Sequence, residues 1–135
     1  TGPCAVGRAV AADARGHLAA ACRDAAAAAA GAYLLVVNGP LGLFAGLSLA
    51  EATGLPVAAA AFFPQVPTAA FPSPLFACWP SSVGWANHLS HLAAGAALWY
   101  HLRPVVNQAR RDVMSLPPWS MAGPAEFVRR RWVRF

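Results

Sequence analysis

Two short apolar runs, separated by a segment with helical spacing, constrain most strongly how this chain can fold. The first run, residues 33–37, reads YLLVV and is followed by a turn at Asn38, and the second covers residues 57–63. Residues 41–53 between them have apolar side chains at helical spacing, and Gly54 suits the end of a helix. Continuous apolar runs of this length are typical of strands that are buried on both faces. The pattern predicts two parallel strands joined by a right-handed helical crossover.

Helices are expected on both sides of this unit. Residues 10–30 are rich in alanine, which has the highest helix propensity and predicts a helix before the first strand. Residues 85–116 carry apolar side chains at steps of three and four and predict a long second helix. Pro104 lies inside it, so we expect a kink or break near Arg103. The predicted apolar stripe consists of Trp85, Leu89, Leu92, Ala96, Trp99, Leu102, Val106, Ala109, Val113 and Leu116. The fold class expected is therefore α/β, a Rossmann-like parallel sheet with flanking helices.

Residues 63–82 form a segment rich in proline and aromatic residues that fits neither a helix nor a strand. Loops of this length are usually functional or disordered, and the aromatic content argues against disorder. The loop leaves the sheet at the carboxyl ends of the strands, where parallel sheets bind ligands. We interpret it as one wall of a small-molecule site, the alternative being that its aromatic side chains only pack the loop onto the sheet. The candidate site residues are Phe63, Phe71 and Phe76 as apolar walls and Gln65, Thr68 and Ser73 as partners for a hydroxyl group.

The composition favours a packed core and argues against nucleic-acid binding. Hydrophobic residues make up 58% of the chain and charged residues 11%, the opposite of a disordered chain. The net charge is +5, but no basic stripe with interleaved aromatic residues is present, as nucleic-acid binding would require. We interpret residues 119–135 as a basic connector, with contact of its arginines to phosphate or an anionic membrane surface as the alternative. The most apolar stretch, residues 41–63, is interrupted by polar residues, glycine and proline, so no membrane span is predicted.

Residue types that carry metal or nucleophilic chemistry are sparse. Cys4, Cys22 and Cys78 are too far apart for a metal or disulfide pattern, which predicts reduced thiols in a cytoplasmic protein. His88 and His91 share a helix face but have no third ligand nearby in sequence, so no metal site is predicted. The spacing assembles no Ser-His-Asp or Cys-His set, no pair of carboxylates for acid–base chemistry and no glycine-rich phosphate loop.

Several short motifs resemble those of glycosyltransferases built from two Rossmann-like domains. Residues 50–56 read AEATGLP and resemble the AE-x-x-G-[IL]-P signature of bacterial enzymes of the sterol-glucosyltransferase and antibiotic-aglycone type. Three further stretches fit in the same order: the strand before Asn38 and Pro40, the loop PTAAFP at 67–72, and the helix end NQAR at 107–110 followed by LPP at 116–118. The match covers about residues 30–125. It resembles the N-terminal, acceptor-binding domain of the UDP-glycosyltransferase superfamily, which has the GT-B fold.

This resemblance implies a sugar-transfer reaction. Enzymes of the family bind a nucleotide-sugar in a C-terminal domain and a hydroxylated acceptor in the N-terminal one. A histidine near the start of the N-terminal domain acts as general base on the acceptor hydroxyl, whose oxygen displaces the nucleotide with inversion. The resemblance assigns the acceptor wall to the loop, with Asn107 and Arg110 fixing the end of the long helix. The acceptor-binding residues that it implies are Phe63, Gln65, Thr68, Phe71 and Phe76.

Two positions depart from the family pattern. None of the four histidines matches the general base, which belongs to a first strand that precedes the matched region. Asn38 stands where many members have an aspartate that orients this histidine, and a neutral amide cannot stabilise the charge of an imidazolium.

We therefore expect residues 1–135 to be a partial N-terminal domain that is inactive by itself, with the nucleotide-sugar bound by another domain and no separate cofactor. The aromatic loop favours a lipophilic acceptor such as a sterol or polyketide. A non-catalytic small-molecule-binding module and a peripheral membrane protein are the alternatives.

Overall fold

The computed structural model describes residues 2–61, 66–76 and 82–132, with the last two described by their backbone alone. In chain order the elements are α1 (Pro3–Ala14), α2 (Leu18–Ala28), β1 (Leu35–Asn38), α3 (Gly39–Thr53), β2 (Val57–Ala60), a 3-10 turn (Pro74–Phe76), α4 (Gly84–Asp112) and α5 (Gly123–Trp132). The described part of the chain is thus mixed α/β, with helices predominating. None of its helices combines the length and the apolarity needed to cross a membrane.

Strands β1 and β2 pair in parallel and are joined by α3, as the apolar runs predict. The register places Leu35 opposite Val57, and the Leu35 N–H donates to the Pro56 carbonyl oxygen at 2.9 Å. Helix α3 stops at Gly54, whose φ of 78° lies in the left-handed region that glycine adopts without steric cost. Within the described residues the sheet has these two strands. The α/β class is confirmed, whereas a complete Rossmann-like sheet is not seen.

The prediction that the first strand is buried on both faces is wrong. Side chains of β1 alternate between half-buried and exposed, and Val36 is 66% exposed. On the other face α3 approaches so closely that a Cβ on Gly46 would overlap the side chain of Val37. Leu34 and Val36 remain exposed because α3 lies on the opposite face of the two-stranded sheet. A continuous apolar run therefore belongs here to a strand with one covered face.

The alanine-rich run forms two helices, not the single helix expected over residues 10–30. Helix α1 begins earlier, at Pro3, where proline is tolerated because the first helical turn needs no N–H partner. The chain then turns at residues 15–17, around Gly16, and glycine is about 1 kcal/mol less favourable than alanine inside a helix. The turn allows both α1 and α2 to pack against α4. At Gly7 the packing is close, since a Cβ there would lie 3.0 Å from the ring of His101.

Helix α4 is continuous through Pro104, so the break expected near Arg103 does not form. Pro104 itself is exposed, whereas Leu102 and Val106 on either side are fully buried in the core with α1 and α2. Proline removes one backbone hydrogen bond from a helix. The core contacts of its neighbours keep the backbone helical in spite of that loss.

The predicted apolar stripe of α4 is buried only in its C-terminal half. Trp99 and Leu102 are in the core, but Trp85 is 71% exposed and Leu89 is half exposed. The N-terminal half instead buries a polar set at helical spacing, namely Asn87, Ser90 and His91. The expectation of one apolar stripe over the whole helix is wrong, because the loop that packs on these first turns requires hydrogen-bonding partners for its backbone.

Candidate functional site

The carboxyl ends of the two strands lie at the same edge of the sheet. The register pairs Asn38 at the end of β1 with Ala60 at the end of β2. Helix α3 begins directly after β1, so Pro40 in its first turn also lies at this edge. The chain that follows β2 leaves from here, and its described part, residues 66–76, runs beside α4.

Three polar side chains of α4 hold this loop. Asn87 Nδ2 donates to the Ala69 carbonyl oxygen at 3.1 Å, and Ser90 Oγ accepts the N–H of Ser73 at 2.8 Å. His91 Nε2 lies 3.1 Å from the carbonyl oxygen of Phe71. Positions 87, 90 and 91 are three and four residues apart, so they share one helix face. The loop is therefore fixed to the helix through its own backbone.

Between this loop, α4, α1 and the start of α3 lies a cavity of about 420 Å³. Its volume is within the range of pockets that hold small organic ligands. Among the described residues that line it, the polar side chains are Ser73 and His91. The apolar lining consists of Val6, Val10, Pro40, Leu43, Phe44, Pro74, Leu75, Gly95 and Leu98. The cavity thus combines apolar walls with two hydrogen-bonding groups.

Ser73 and His91 supply one hydrogen-bond donor and one acceptor to this cavity. Because the carbonyl oxygen of Phe71 only accepts, His91 Nε2 carries the hydrogen, and Nδ1 of the neutral ring is then an acceptor. Ser73 Oγ accepts the N–H of Leu75 at 3.4 Å, and its own hydroxyl hydrogen can be donated. This pair of groups matches the needs of an alcohol, which donates one hydrogen bond and accepts others.

Of the predicted site residues in the described part of the chain, Ser73 lines the cavity, whereas Thr68, Phe71 and Phe76 do not. Thr68 Oγ1 accepts the N–H of Ala70 at 3.2 Å, which stabilises the loop. Phe71 is 39% exposed and packs edge-on against His91, with ring centroids 6.0 Å apart. Phe76 is half-buried in the 3-10 turn. Phe63 and Gln65 lie outside the described residues.

Asn38 lies at a second, larger groove. This groove of about 560 Å³ runs along β1, between α2 and α3, and is lined mostly by alanine and aliphatic side chains. Asn38 is exposed and makes no side-chain cap to α3. Cys22 also lines the groove, and burial raises the pKa of its thiol. The position that the resemblance assigns to a histidine-orienting residue therefore does not line the smaller cavity.

Two of the stretches that carry the resemblance, residues 50–56 and the helix end with the residues after it, meet at one hydrogen-bonded junction. Arg110 is fully buried and its Nη1 donates to Glu51 Oε2 at 2.8 Å. Its Nε and Nη2 both donate to the Pro117 carbonyl oxygen, at 2.9 and 2.8 Å, and the guanidinium lies 3.9 Å from the ring centre of Trp119. Asn107 pairs with the N–H and the carbonyl of Trp119 at 2.8 and 2.9 Å. As expected, Asn107 and Arg110 fix the end of the long helix.

The histidines lie in different environments. His88 is exposed, whereas His91 is buried, although the two are three residues apart. His17 lies 3.4 Å from the Asp13 carboxylate on the surface, and His101 packs against Gly7. In residues 2–61, 66–76 and 82–132 no group of three or more metal-ligating side chains is close enough to hold a metal ion.

Sequence reasoning weighed His91 only as a metal ligand and so missed its role beside the loop. The available signal was the polar set at positions 87, 90 and 91, which interrupts an otherwise apolar helix at helical spacing. Val6 and Val10 were also missed, because α1 begins before the alanine-rich run.

Comparison of this chain with protein-family models, with curated proteins and with solved structures finds no match.

Proposed function

We propose that this chain is the acceptor-binding part of a glycosyltransferase that transfers a sugar from a nucleotide-sugar to a lipophilic alcohol. The acceptor class is a sterol, a polyketide or a similar aglycone. The acceptor occupies the cavity of about 420 Å³, and the nucleotide-sugar is bound by a separate domain.

The observation that carries this proposal is the composition and position of the cavity. It lies at the carboxyl edge of the parallel strands, where Pro40 begins α3 and the loop after β2 closes over α4. Among the described residues its walls are aliphatic and aromatic apart from Ser73 and His91. Such a lining favours a large apolar ligand with one hydroxyl group over a sugar or another polar acceptor, which would leave hydrogen-bonding groups unpaired.

The junction around Arg110 is a second, independent support. Glu51 belongs to the signature-like segment 50–56, Arg110 to the helix end and Pro117 to the segment after it. Arg110 donates hydrogen bonds to both of the others. Motifs that resemble one family and also contact each other in space are better evidence than the same motifs taken singly.

Within this proposal His91 and Ser73 hold the acceptor hydroxyl and do not perform the reaction. His91 does not match the family's general base, and its Nε2 is already engaged by the carbonyl of Phe71. The general base and the sugar donor belong to other parts of the proposed reaction centre. Asn38 occupies the position of the residue that orients this base in the family.

A binding assay tests the acceptor site. The naturally fluorescent sterol dehydroergosterol is titrated into the protein, and its hydroxyl-free hydrocarbon counterpart serves as the competitor that should fail. Gly95 lines the cavity, and a Cβ there would meet no atom within 4 Å, so Gly95→Leu should fill the cavity without disturbing the helix. The matched control is Ala93→Leu, an exposed position of the same helix outside the lining.

We expect saturable sterol binding that Gly95→Leu weakens at least about tenfold and Ala93→Leu leaves unchanged. Absence of saturable binding, or equal binding by the Gly95→Leu protein, would refute the acceptor site.

The competing function is a binding module that holds an apolar small molecule without chemistry. It is favoured by the bonding of the two polar side chains of the lining, because Ser73 Oγ and His91 Nε2 are hydrogen-bonded to backbone groups of the loop and not to each other. The two functions differ in the coding sequence on either side. The transferase is supported if a glycine-containing loop with a histidine is encoded upstream and a nucleotide-binding domain downstream. The test is completed by assaying a protein that contains both regions for turnover of UDP-sugar with a hydrophobic alcohol.

A further inference from the structure

Helix α4 exposes an apolar stripe on the side that faces away from the loop. Trp85, Leu89, Leu92, Ala96 and Tyr100 follow one another at steps of three and four, and we call them the outer stripe. Trp85 is 71%, Leu92 is 49% and Tyr100 is 60% exposed. The opposite face of the same turns buries the polar residues that hold the loop, together with Ala86, Ala94 and Leu98. The first four turns of α4 thus expose a row of large apolar side chains, which an ordinary surface helix buries.

We propose that the outer stripe is a membrane-docking surface, with α4 lying along an anionic phospholipid bilayer and these side chains inserted at its interface. This inference rests on the proposed function, because it concerns how a lipophilic acceptor reaches the cavity.

The dimensions and residue types of the stripe fit a bilayer interface. From Trp85 to Tyr100 the helix rises about 22 Å, at 1.5 Å per residue. Leucine and alanine occupy the centre of the stripe, and an aromatic side chain with a polar tip stands at each end. Tryptophan and tyrosine are the residues that settle at the boundary between lipid headgroups and acyl chains. A helix that lies in the interface buries a stripe of this kind rather than a full circumference.

The charges around the stripe favour an anionic lipid surface over a second copy of this chain. Helix α4 contains no acidic residue before Asp112, its last position. Arg103 lies on the same helical line as Trp85, eighteen residues or five turns further along. Two stripes packed together would offer Arg103 no carboxylate, whereas an anionic headgroup supplies a counter-charge.

Helix α4 contributes residues to both the outer stripe and the cavity. His91, Gly95 and Leu98 line the cavity from α4, while Leu89, Leu92 and Ala96 belong to the outer stripe. An acceptor dissolved in the bilayer would therefore need to pass only the width of one helix to enter the cavity. A docked membrane also removes from water the most exposed apolar side chains of α4.

Co-sedimentation with vesicles tests the surface directly. The protein is incubated with vesicles of phosphatidylcholine containing phosphatidylglycerol and, separately, of phosphatidylcholine alone. The test variant is the double substitution Leu89→Gln and Leu92→Gln, which keeps a good helix former at exposed positions. The matched control is Leu34→Gln with Val36→Thr, which removes two comparably exposed apolar side chains from the region of β1. Circular dichroism verifies that each variant is folded.

We expect binding to the anionic vesicles, weaker binding to the neutral ones, and a loss of about tenfold or more in the Leu89/Leu92 variant. The control variant should bind as the unchanged protein does. Equal binding by the Leu89/Leu92 variant, an equal loss in the control, or no binding to either kind of vesicle overturns the proposal. A concentration-dependent dimer that only the Leu89/Leu92 substitution dissociates overturns it too, since a second copy would then cover the stripe.

Two measurements distinguish loss of membrane docking from loss of the acceptor site. When sterol is delivered from a soluble cyclodextrin complex, the Leu89/Leu92 variant should bind it normally, whereas Gly95→Leu should not. Gly95→Leu should in turn sediment with anionic vesicles as well as the unchanged protein does.

Discussion

Arg110 and Glu51 form an ion pair across 59 positions of sequence, with Arg110 Nη1 2.8 Å from Glu51 Oε2. Arg110 is fully buried, whereas the Glu51 side chain is 31% exposed. The arginine also satisfies the Pro117 carbonyl with two donors. The pair therefore ties the end of α3 to the end of α4 and to the segment that leads to α5.

Replacing Arg110 should destabilise the protein strongly. Arg110→Ala removes a fully buried side chain and leaves the Pro117 carbonyl without its donors, which should cost about 2–5 kcal/mol, while the partly exposed Glu51 carboxylate can be solvated by water. Glu51→Gln keeps an acceptor oxygen but leaves the fully buried Arg110 guanidinium without its counter-charge, so it should cost about 1.5–3 kcal/mol, the range for a hydrogen bond to a charged group. Urea unfolding measures both values. Arg111→Ala, an exposed neighbour, is the control and should stay within about 0.5 kcal/mol of the unchanged protein. An equal effect of the two arginine substitutions would contradict the role of the junction.

The contact between α3 and β1 predicts opposite effects for two glycines of the same helix. Gly46→Ala would overlap the Val37 side chain and should destabilise by about 1–3 kcal/mol. Gly42→Ala meets no atom within 4 Å and should stabilise by up to about 1 kcal/mol through helix propensity. Thermal unfolding of both variants provides the comparison. Val37→Ala combined with Gly46→Ala should recover part of the loss, and additive losses in the double variant would argue against this contact.

Loss of the Ser90 hydroxyl should release the loop over the cavity. In Ser90→Ala the buried N–H of Ser73 loses its acceptor, a cost of about 1–3 kcal/mol. Chymotrypsin should then cut after Phe76 about tenfold faster under native conditions, because opening of the loop exposes the bond, whereas the bond after Phe71 precedes Pro72 and is not cleaved. Mass spectrometry of the products locates the cut. The exposed Ser82→Ala serves as control, and unchanged cleavage of the Ser90 variant would show that other contacts hold the loop.

The two cysteines in the described residues should differ in reactivity. Burial raises the pKa of the Cys22 thiol, so less thiolate is present at mildly alkaline pH, while Cys4 is exposed. Iodoacetamide should therefore alkylate Cys4 well before Cys22, as peptide mass spectrometry would show.

The raised pKa of the Cys22 thiol also affects the stability of the folded protein. The folded chain keeps the Cys22 proton to a higher pH than the unfolded chain does, so the contribution of this group to stability declines as pH rises past the ordinary thiol pKa. Cys22→Ser should lessen that decline, and equal alkylation rates in the native protein would contradict the burial of Cys22.

The unit of two strands and a helix could be predicted because its signals are local. Residues 33–37 and 57–63 are apolar runs bounded by turn residues, and Gly54 marks the end of α3 through a left-handed conformation. Only part of the candidate site could be predicted from such local signals. The carboxyl edge and Ser73 followed from the sequence, whereas Val6, Val10 and His91 enter the cavity through packing between elements far apart in the chain.

Helix α4 shows most clearly what could not be predicted from the sequence. Its apolar spacing from Trp85 onward suggested one buried stripe, and Pro104 suggested a break. Instead α1 and α2 bury the second half and hold it helical across the proline, while the loop draws Asn87, Ser90 and His91 inward in the first half. Spacing alone cannot tell which of two faces of a helix will be covered, because that depends on which partner packs there.

The sequence by itself determined the two strands, the parallel crossover between them and the end of α3 at Gly54, since these depend on propensities and turn chemistry within a few residues. The tertiary structure decided which face of α4 is buried, where the alanine-rich run divides, and that Glu51, Arg110 and Pro117 meet. Burial of apolar surface and the requirement that buried polar groups be hydrogen-bonded are properties of contacts between distant segments. They act only once those segments are packed together.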